Sequence, residues 1–220
     1  QVERLGWKEA LIARVTERLG APPVAAPGPA AWPALDAGDL EYQPVTVTGT
    51  FLNDREVDVI AALTEPKGKV GGIGYLVMTP LVTDAGWVVY VNRGFVPEAK
   101  KLATSRPGSL LSGTTTVTGL FRAPRDRACF MPGAKPPTPA WFSRDPALYA
   151  KTYGVPGAIA PYIIDANFDP ALPEGIPQGG ETIVTFPNSH LGYAITWFGL
   201  ALCCVGVFIA FARGRLRGKS

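Results

Sequence analysis

The chain of 220 residues contains one histidine, three cysteines and two methionines, and these scarcities exclude several chemistries. A Ser-His-Asp hydrolase needs a histidine base, and His190 stands just before a long apolar run rather than among polar residues. A Ser-Lys hydrolase needs a desolvated lysine, whereas Lys67 and Lys69 lie in the glycine-rich stretch KGKVGGIGY. That stretch lacks the G-x-x-x-x-G-K-S/T spacing of a phosphate-binding loop and reads instead as a turn into a strand at Tyr75. Cys129, Cys203 and Cys204 form no C-x-x-C pair, so neither a disulfide framework nor a zinc site is expected. Met78 and Met131 are too few soft ligands for a copper carrier. No polar catalytic cluster can be assembled from what remains, and the chain is not expected to be an enzyme.

Charge is also sparse. Only 18% of residues are charged against 47% hydrophobic, which excludes a disordered chain. The net charge of +3 is confined to one place: Arg213, Arg215, Arg217 and Lys219 close the chain. Removing these four from the 21 Lys and Arg leaves 17 against 18 Asp and Glu. No basic surface for nucleic acid is left.

What the sequence does have is a 22-residue uncharged run, LGYAITWFGLALCCVGVFIAFA, from Leu191 to Ala212. As a helix it would be roughly 33 Å long, enough to cross a bilayer. The basic residues after it predict a cytoplasmic tail over 213–220, and hence an external domain over 21–190. The main domain is therefore expected in the periplasm of a bacterium, anchored in the inner membrane; a mitochondrial inner membrane is the other possibility. Residues 1–20, QVERLGWKEALIARVTERLG, have Leu5, Leu11, Ile12, Val15 and Leu19 near helical spacing with charges between them. This is an amphipathic helix rather than a signal peptide, and a signal or a first membrane helix is expected before it.

Between these ends, 25 Gly and 22 Pro point to many turns. Residues 21–38 read as an extended crossover on the domain surface, with Trp32 as a packed anchor. Period-two alternation predicts strands at Gln43–Phe51 and Thr114–Arg122, with Arg55–Leu63 a candidate joined to Gln43–Phe51. Tyr75–Thr83 and Gly86–Val96 read as two well-buried strands, and short late strands are expected at Tyr162–Ala166 and Thr182–Thr185. Hairpin turns are expected at Asn53-Asp54 and Asp84-Ala85, and a helix at Pro146–Tyr153. The fold class is α+β: a mainly antiparallel sheet or partly closed barrel joined to a C-terminal transmembrane helix.

Two patterns carry candidate contacts. Gly192, Thr196, Gly199, Cys203, Gly206 and Ala210 form a small-residue stripe along the apolar helix, where another helix could approach closely. His190 and Trp197, with Cys204 and Phe208, lie about 120° to 160° from the stripe's centre. A histidine at that boundary can ligate haem iron or copper, or make an interfacial hydrogen bond. In the strand VNRGFV, Arg93 can orient a partner or be satisfied by local carbonyls or a carboxylate.

The tail NSHLGYAITWFGLA (Asn188 to Ala201) resembles the closing motif of the surfeit-locus-one family, the assembly factors of cytochrome c oxidase. GYLVMTPL, VNRGFVP, GTF with Glu56, and the opening ERLGWKEALI match in the same order. The resemblance implies two membrane helices holding an external domain, and a role in delivering haem a to the catalytic subunit or stabilising that subunit. It implies His190 as ligand to the haem iron; Tyr193 and Trp197, near it at the membrane interface, are expected to aid it. Arg93 and the stripe of Gly192, Thr196, Gly199 and Gly206 would contact the oxidase subunit, other assembly factors or lipid. A cofactor-free accessory partner of the oxidase is the alternative.

Overall fold

The structure, a computed structural model, describes residues 15–124, 141–182 and 190–217; in the last segment, side chains are described for 196–209, Phe211 and Arg213. The chain divides into two units. One is the β-rich domain, Arg18–Ile183; the other contains the C-terminal helix.

Among the described residues the domain has seven strands: β1 (Val24–Ala25), β2 (Pro44–Phe51), β3 (Val57–Leu63), β4 (Gly72–Thr83), β5 (Val88–Pro97), β6 (Thr114–Arg122) and β7 (Ile159–Ala166). Their order is β1-β2-β6-β7-β5-β4-β3, and an additional β2–β4 pairing closes five of them into a barrel. Closure happens at Gly49. There β2 pairs with Thr83 of β4 as well as with Thr115 of β6, and a Cβ on Gly49 would lie 2.2 Å from the Val82 carbonyl oxygen. Only glycine permits that approach.

Alternation in β2 sorts its side chains as the sequence predicts. Val45, Val47 and Phe51 join Leu81, Val89, Val91, Val117, Phe121, Tyr162 and Ile164 inside the barrel. On the outer face Thr48 and Thr116 share a 2.8 Å hydroxyl hydrogen bond. Strands β4, β5 and β7 read as nearly continuous apolar runs because both their faces are covered. Met78, Val88, Tyr90 and Ile163 pack outside the barrel against Val57, Val59, Trp141 and Tyr149. Tyr149 belongs to α1 (Pro146–Tyr153), which begins at Asp145, whose carboxylate accepts from Leu148 N–H, and ends at Gly154 in the left-handed conformation.

Two expectations are corrected. Asn53-Asp54 is not a hairpin turn: both β2 and β3 run antiparallel to β4, β3 along Gly72–Met78 and β2 along Leu81–Thr83. The segment between them is a short 3-10 turn that steps around Pro80, whose carbonyl accepts from Leu52 N–H. The sheet is mainly antiparallel, as expected; β1–β2 and β5–β7 are its parallel pairs, with β6 and α1 in the crossover from β5 to β7. Thr182 is not in a strand, and 183–185 lie outside the described residues. The Asp84-Ala85 hairpin, β6 and α1 form where expected. The crossover before β2 lies on the barrel, with Trp32 edge-on to Trp87 at 5.8 Å and its indole N–H donating to the Pro27 carbonyl.

In the second unit, α2 runs from His190 to Arg217, further than the apolar run itself. Among the described residues no helix is long and apolar enough to cross a membrane. The stretch whose side chains are described, 196–209, is shorter than the roughly 20 residues a crossing needs. Most of the segment 1–20 lies outside the described residues; positions 15–19 are helical and the chain turns at Gly20.

Candidate functional site

Two buried charged clusters occupy the β domain, and both grow from the strand VNRG. Its residues alternate between them. Asn92 lies opposite Asp165 in the parallel pair β5–β7 and donates from Nδ2 to Asp165 Oδ1 at 2.8 Å. Asp165 Oδ2 accepts from Thr182 Oγ1 at 2.8 Å and from Arg122 Nη1 at 3.3 Å. Arg122 also pairs with Glu41 at 3.0 Å and stacks over Tyr42, while Arg144 approaches Asp165 at 3.9 Å. A cavity of about 180 Å³ opens among Asn92, Arg122, Arg144, Asp165 and Thr182. Every oxygen of Asp165 is thereby committed, so the cluster orders the strands that meet there.

Arg93 points the other way. It is 5% exposed, its guanidinium carbon lies 5.0 Å from the Phe51 ring centroid, and Nη2 donates to the Ser109 carbonyl. Arg106 Nη1 donates to Ser109 Oγ at 3.0 Å and Nη2 to Glu56. Burial pulls the Arg93 pKa down to about 10, partly offset by Glu56. The local-carbonyl arrangement weighed from the sequence is the one observed. Gly94 has φ 129° and a Cβ there would lie 2.2 Å from the Gln178 carbonyl carbon, because Phe95 and Gln178 exchange backbone hydrogen bonds directly across it.

Sequence reading missed both clusters. Asn92 and Arg93 were visible as polar residues in an apolar strand, but Asp165, Ser109 and Arg106 come to them only when the barrel closes.

The candidate contacts on α2 are placed by its backbone. His190 is the first residue of the helix, and its side chain, with those of Gly192 and Tyr193, lies outside the described residues. Trp197 is 67% exposed, and Phe208 is exposed as well. Helical spacing puts both on the same side as His190. Gly199 and Gly206 have nothing within 4 Å of an added Cβ, and Thr196 is exposed. The structure thus keeps the aromatic side and the small-residue stripe on one helix and places Arg93 in the other unit. Among the described residues no group of three or more His, Cys, Asp or Glu could hold a metal ion.

A closed five-strand barrel with buried arginine clusters, together with a long C-terminal helix bearing exposed apolar side chains, defines the class: a β-barrel domain joined to an apolar helix. The SURF1 family model matches residues 1–202. A SURF1-like protein of Monosiga brevicollis is 33% identical over 97% of this chain and 81% of its own length. Surfeit locus protein 1 of Homo sapiens is 35% identical over 91% of this chain and 68% of its own, and that of Rattus norvegicus 33% identical over 97% and 69%. The chain belongs to the SURF1 family.

Proposed function

We propose that this protein is a membrane-anchored assembly factor for haem-copper cytochrome c oxidase, helping haem a reach the catalytic subunit or stabilising that subunit. The observation that carries the reading is the family match over residues 1–202, which takes in the NSHLGYAITW motif at the head of α2. Haem a is cargo here, and the chain's residues suit it chemically. Exposed Trp197 offers a flat apolar surface about two turns along the helix from His190, and His190 lies on the same side by helical spacing. His190 holds the iron, with Tyr193 and Trp197 beside the macrocycle.

Among the described residues, nine large apolar side chains of α2 are exposed, from Trp197 to Phe211. A helix apolar on all sides needs lipid or partner helices around it, which supports an anchor in the bacterial inner membrane with the basic tail in the cytoplasm and the β domain in the periplasm. The stripe of Gly192, Thr196, Gly199 and Gly206 meets a helix of the oxidase subunit or another assembly factor. Arg93, being buried, serves a separate contact made by the β domain, by ordering the Ser109 loop.

The test is the haem content of the full chain purified from cells that make haem a. Wild type is expected to carry haem a and His190→Ala to lose it; identical spectra and stoichiometry would remove His190 as the ligand. In cells unable to make haem a, association with the oxidase subunit is expected to weaken. Undiminished association there favours the cofactor-free accessory role.

A further inference from the structure

The stretch Gly179–Thr182 contributes no apolar side chain to the β domain. What holds it is polar, and most of the bonds meet at Glu181. Its Oε1 accepts from the Gly68 N–H at 2.8 Å, from the Lys67 N–H at 3.1 Å and from Gln178 Nε2 at 2.7 Å, and its Oε2 accepts from the Lys67 N–H at 3.0 Å. Two successive backbone amides on one carboxylate make a charge-assisted cradle. Lys67 adds a second tie, its Nζ donating to the carbonyls of Gly180 and Thr182 at 3.1 and 3.0 Å. The Gly180 N–H donates to the Ala166 carbonyl at 2.9 Å, and Thr182 Oγ1 reaches Asp165.

Gln178, just before this stretch, is fixed differently. It is buried, exchanges backbone hydrogen bonds with Phe95, and its side-chain amide bonds both backbone groups of Val70. The fixed and the polar parts meet at Gly179-Gly180, and Gly180 already has φ 75°, so rotation there meets little steric resistance. The polar part walls the 180 Å³ cavity, with Asn92, Arg122 and Arg144 among the other lining residues. The Glu181 and Lys67 bonds lie at the surface, where water replaces them as they break. Parting β5 from β7 would instead uncover Tyr90, Ile163 and Ile164. Local opening follows the weaker set of contacts.

We propose that Gly179–Thr182 is a hinged lid over this cavity, latched by Glu181 and Lys67, which swings open while the barrel stays folded and gives solutes access to Arg122. The chain runs on from Thr182 through 183–189 to α2, so displacement of that connection reaches the latch before it reaches the barrel strands. The inference stands on the β domain alone and is independent of the oxidase reading.

Residue-resolved hydrogen exchange of the detergent-solubilised full chain reads the hinge. In the wild type Gly180 is expected to exchange at least tenfold faster than Gln178 after correction for intrinsic rates, although both amides are bonded to backbone carbonyls. Glu181→Ala should speed Gly180 at least tenfold further and leave Gln178 unchanged. Gly180 is the reporter because its N–H bonds Ala166 and not Glu181. Lys67→Met, which leaves the carboxylate in place, should act in the same direction. Site-resolved labelling with phenylglyoxal reads the cavity. Arg122 should react at least fivefold faster in both variants, while Arg93, equally buried but outside this cavity, keeps its wild-type rate. One common opening rate for Gly180 and Gln178 in the wild type overturns the proposal, and so does unchanged Arg122 labelling in both variants. The wild-type comparison decides even if a variant does not fold.

Discussion

Asn92 and Asp165 face each other in the one parallel pairing of the described barrel, and the 2.8 Å bond between their side chains ties β5 to β7. Parallel neighbours cannot be held in register by a tight turn, so this side-chain bond and the ion pairs behind it supply what a hairpin would. Asp165→Asn removes the charge opposite Arg122 and Arg144. Breaking one side of a buried ion pair costs about 3 to 5 kcal/mol, and urea unfolding of the detergent-solubilised full chain should show a loss of that size. Asn92→Ala should cost about 1 to 2 kcal/mol. A loss under about 1 kcal/mol for Asp165→Asn would show that the cluster does not hold the barrel.

Gly94 is strained for any other residue twice over, by φ 129° and by the Gln178 backbone 2.2 Å from a Cβ. Gly94→Ala should therefore destabilise by about 3 kcal/mol or more and break the Phe95–Gln178 backbone pair. Amide hydrogen exchange at Phe95 and Gln178 checks this. Protection unchanged from wild type would contradict it.

Burial, followed by repulsion from Glu56, raises the Asp58 carboxyl from 3.8 to about 6 against the attraction of Lys101 and Arg106. The folded state then holds this proton more tightly than the unfolded chain does. The ionised group weakens the fold above pH 6, and that penalty is relieved as pH falls towards 4. Two pKa units correspond to about 3 kcal/mol, which partial exposure and screening reduce to ~1 kcal/mol. Asp58→Asn should be more stable than wild type by that amount at pH 7.5 and equal to it near pH 4. Melting curves at the two pH values decide it, and a variant less stable at pH 7.5 would reverse the sign.

Local pattern was enough for the elements whose order comes from neighbours in sequence. Thr114–Arg122 alternates strictly and forms β6 with those bounds, and Pro146–Tyr153 has both its Asp145 cap and its Gly154 stop within the segment. The turn at Asn53-Asp54 misled because β2 and β3 share the same edge of β4, a consequence of closure at Gly49 that no local motif announces. The charged clusters were hidden for the same reason. Arg93 meets Ser109 from 16 residues away and Asn92 meets Asp165 from 73. The stripe and the His190 side of α2 were legible because helical period alone fixes which residues share a side.

That stripe yields a prediction separating fold from partner. Gly199 and Gly206 have open space around an added side chain, so Gly199→Leu and Gly206→Leu should leave the melting temperature of the β domain unchanged. A neighbouring helix that packs on the stripe needs the small residues to come close, and a leucine there would hold it away. Co-purification of the oxidase catalytic subunit with the full chain should fall at least fivefold in either variant. Val205→Phe is the control, since position 205 lies about 140° from the stripe's centre and its side chain is exposed; it should leave co-purification intact. Equal loss in all three variants would mean that bulk anywhere on α2 disturbs the association, and the stripe would have no special role. No loss in the two glycine variants would place the partner on another side of the helix, where Trp197 and Phe208 project.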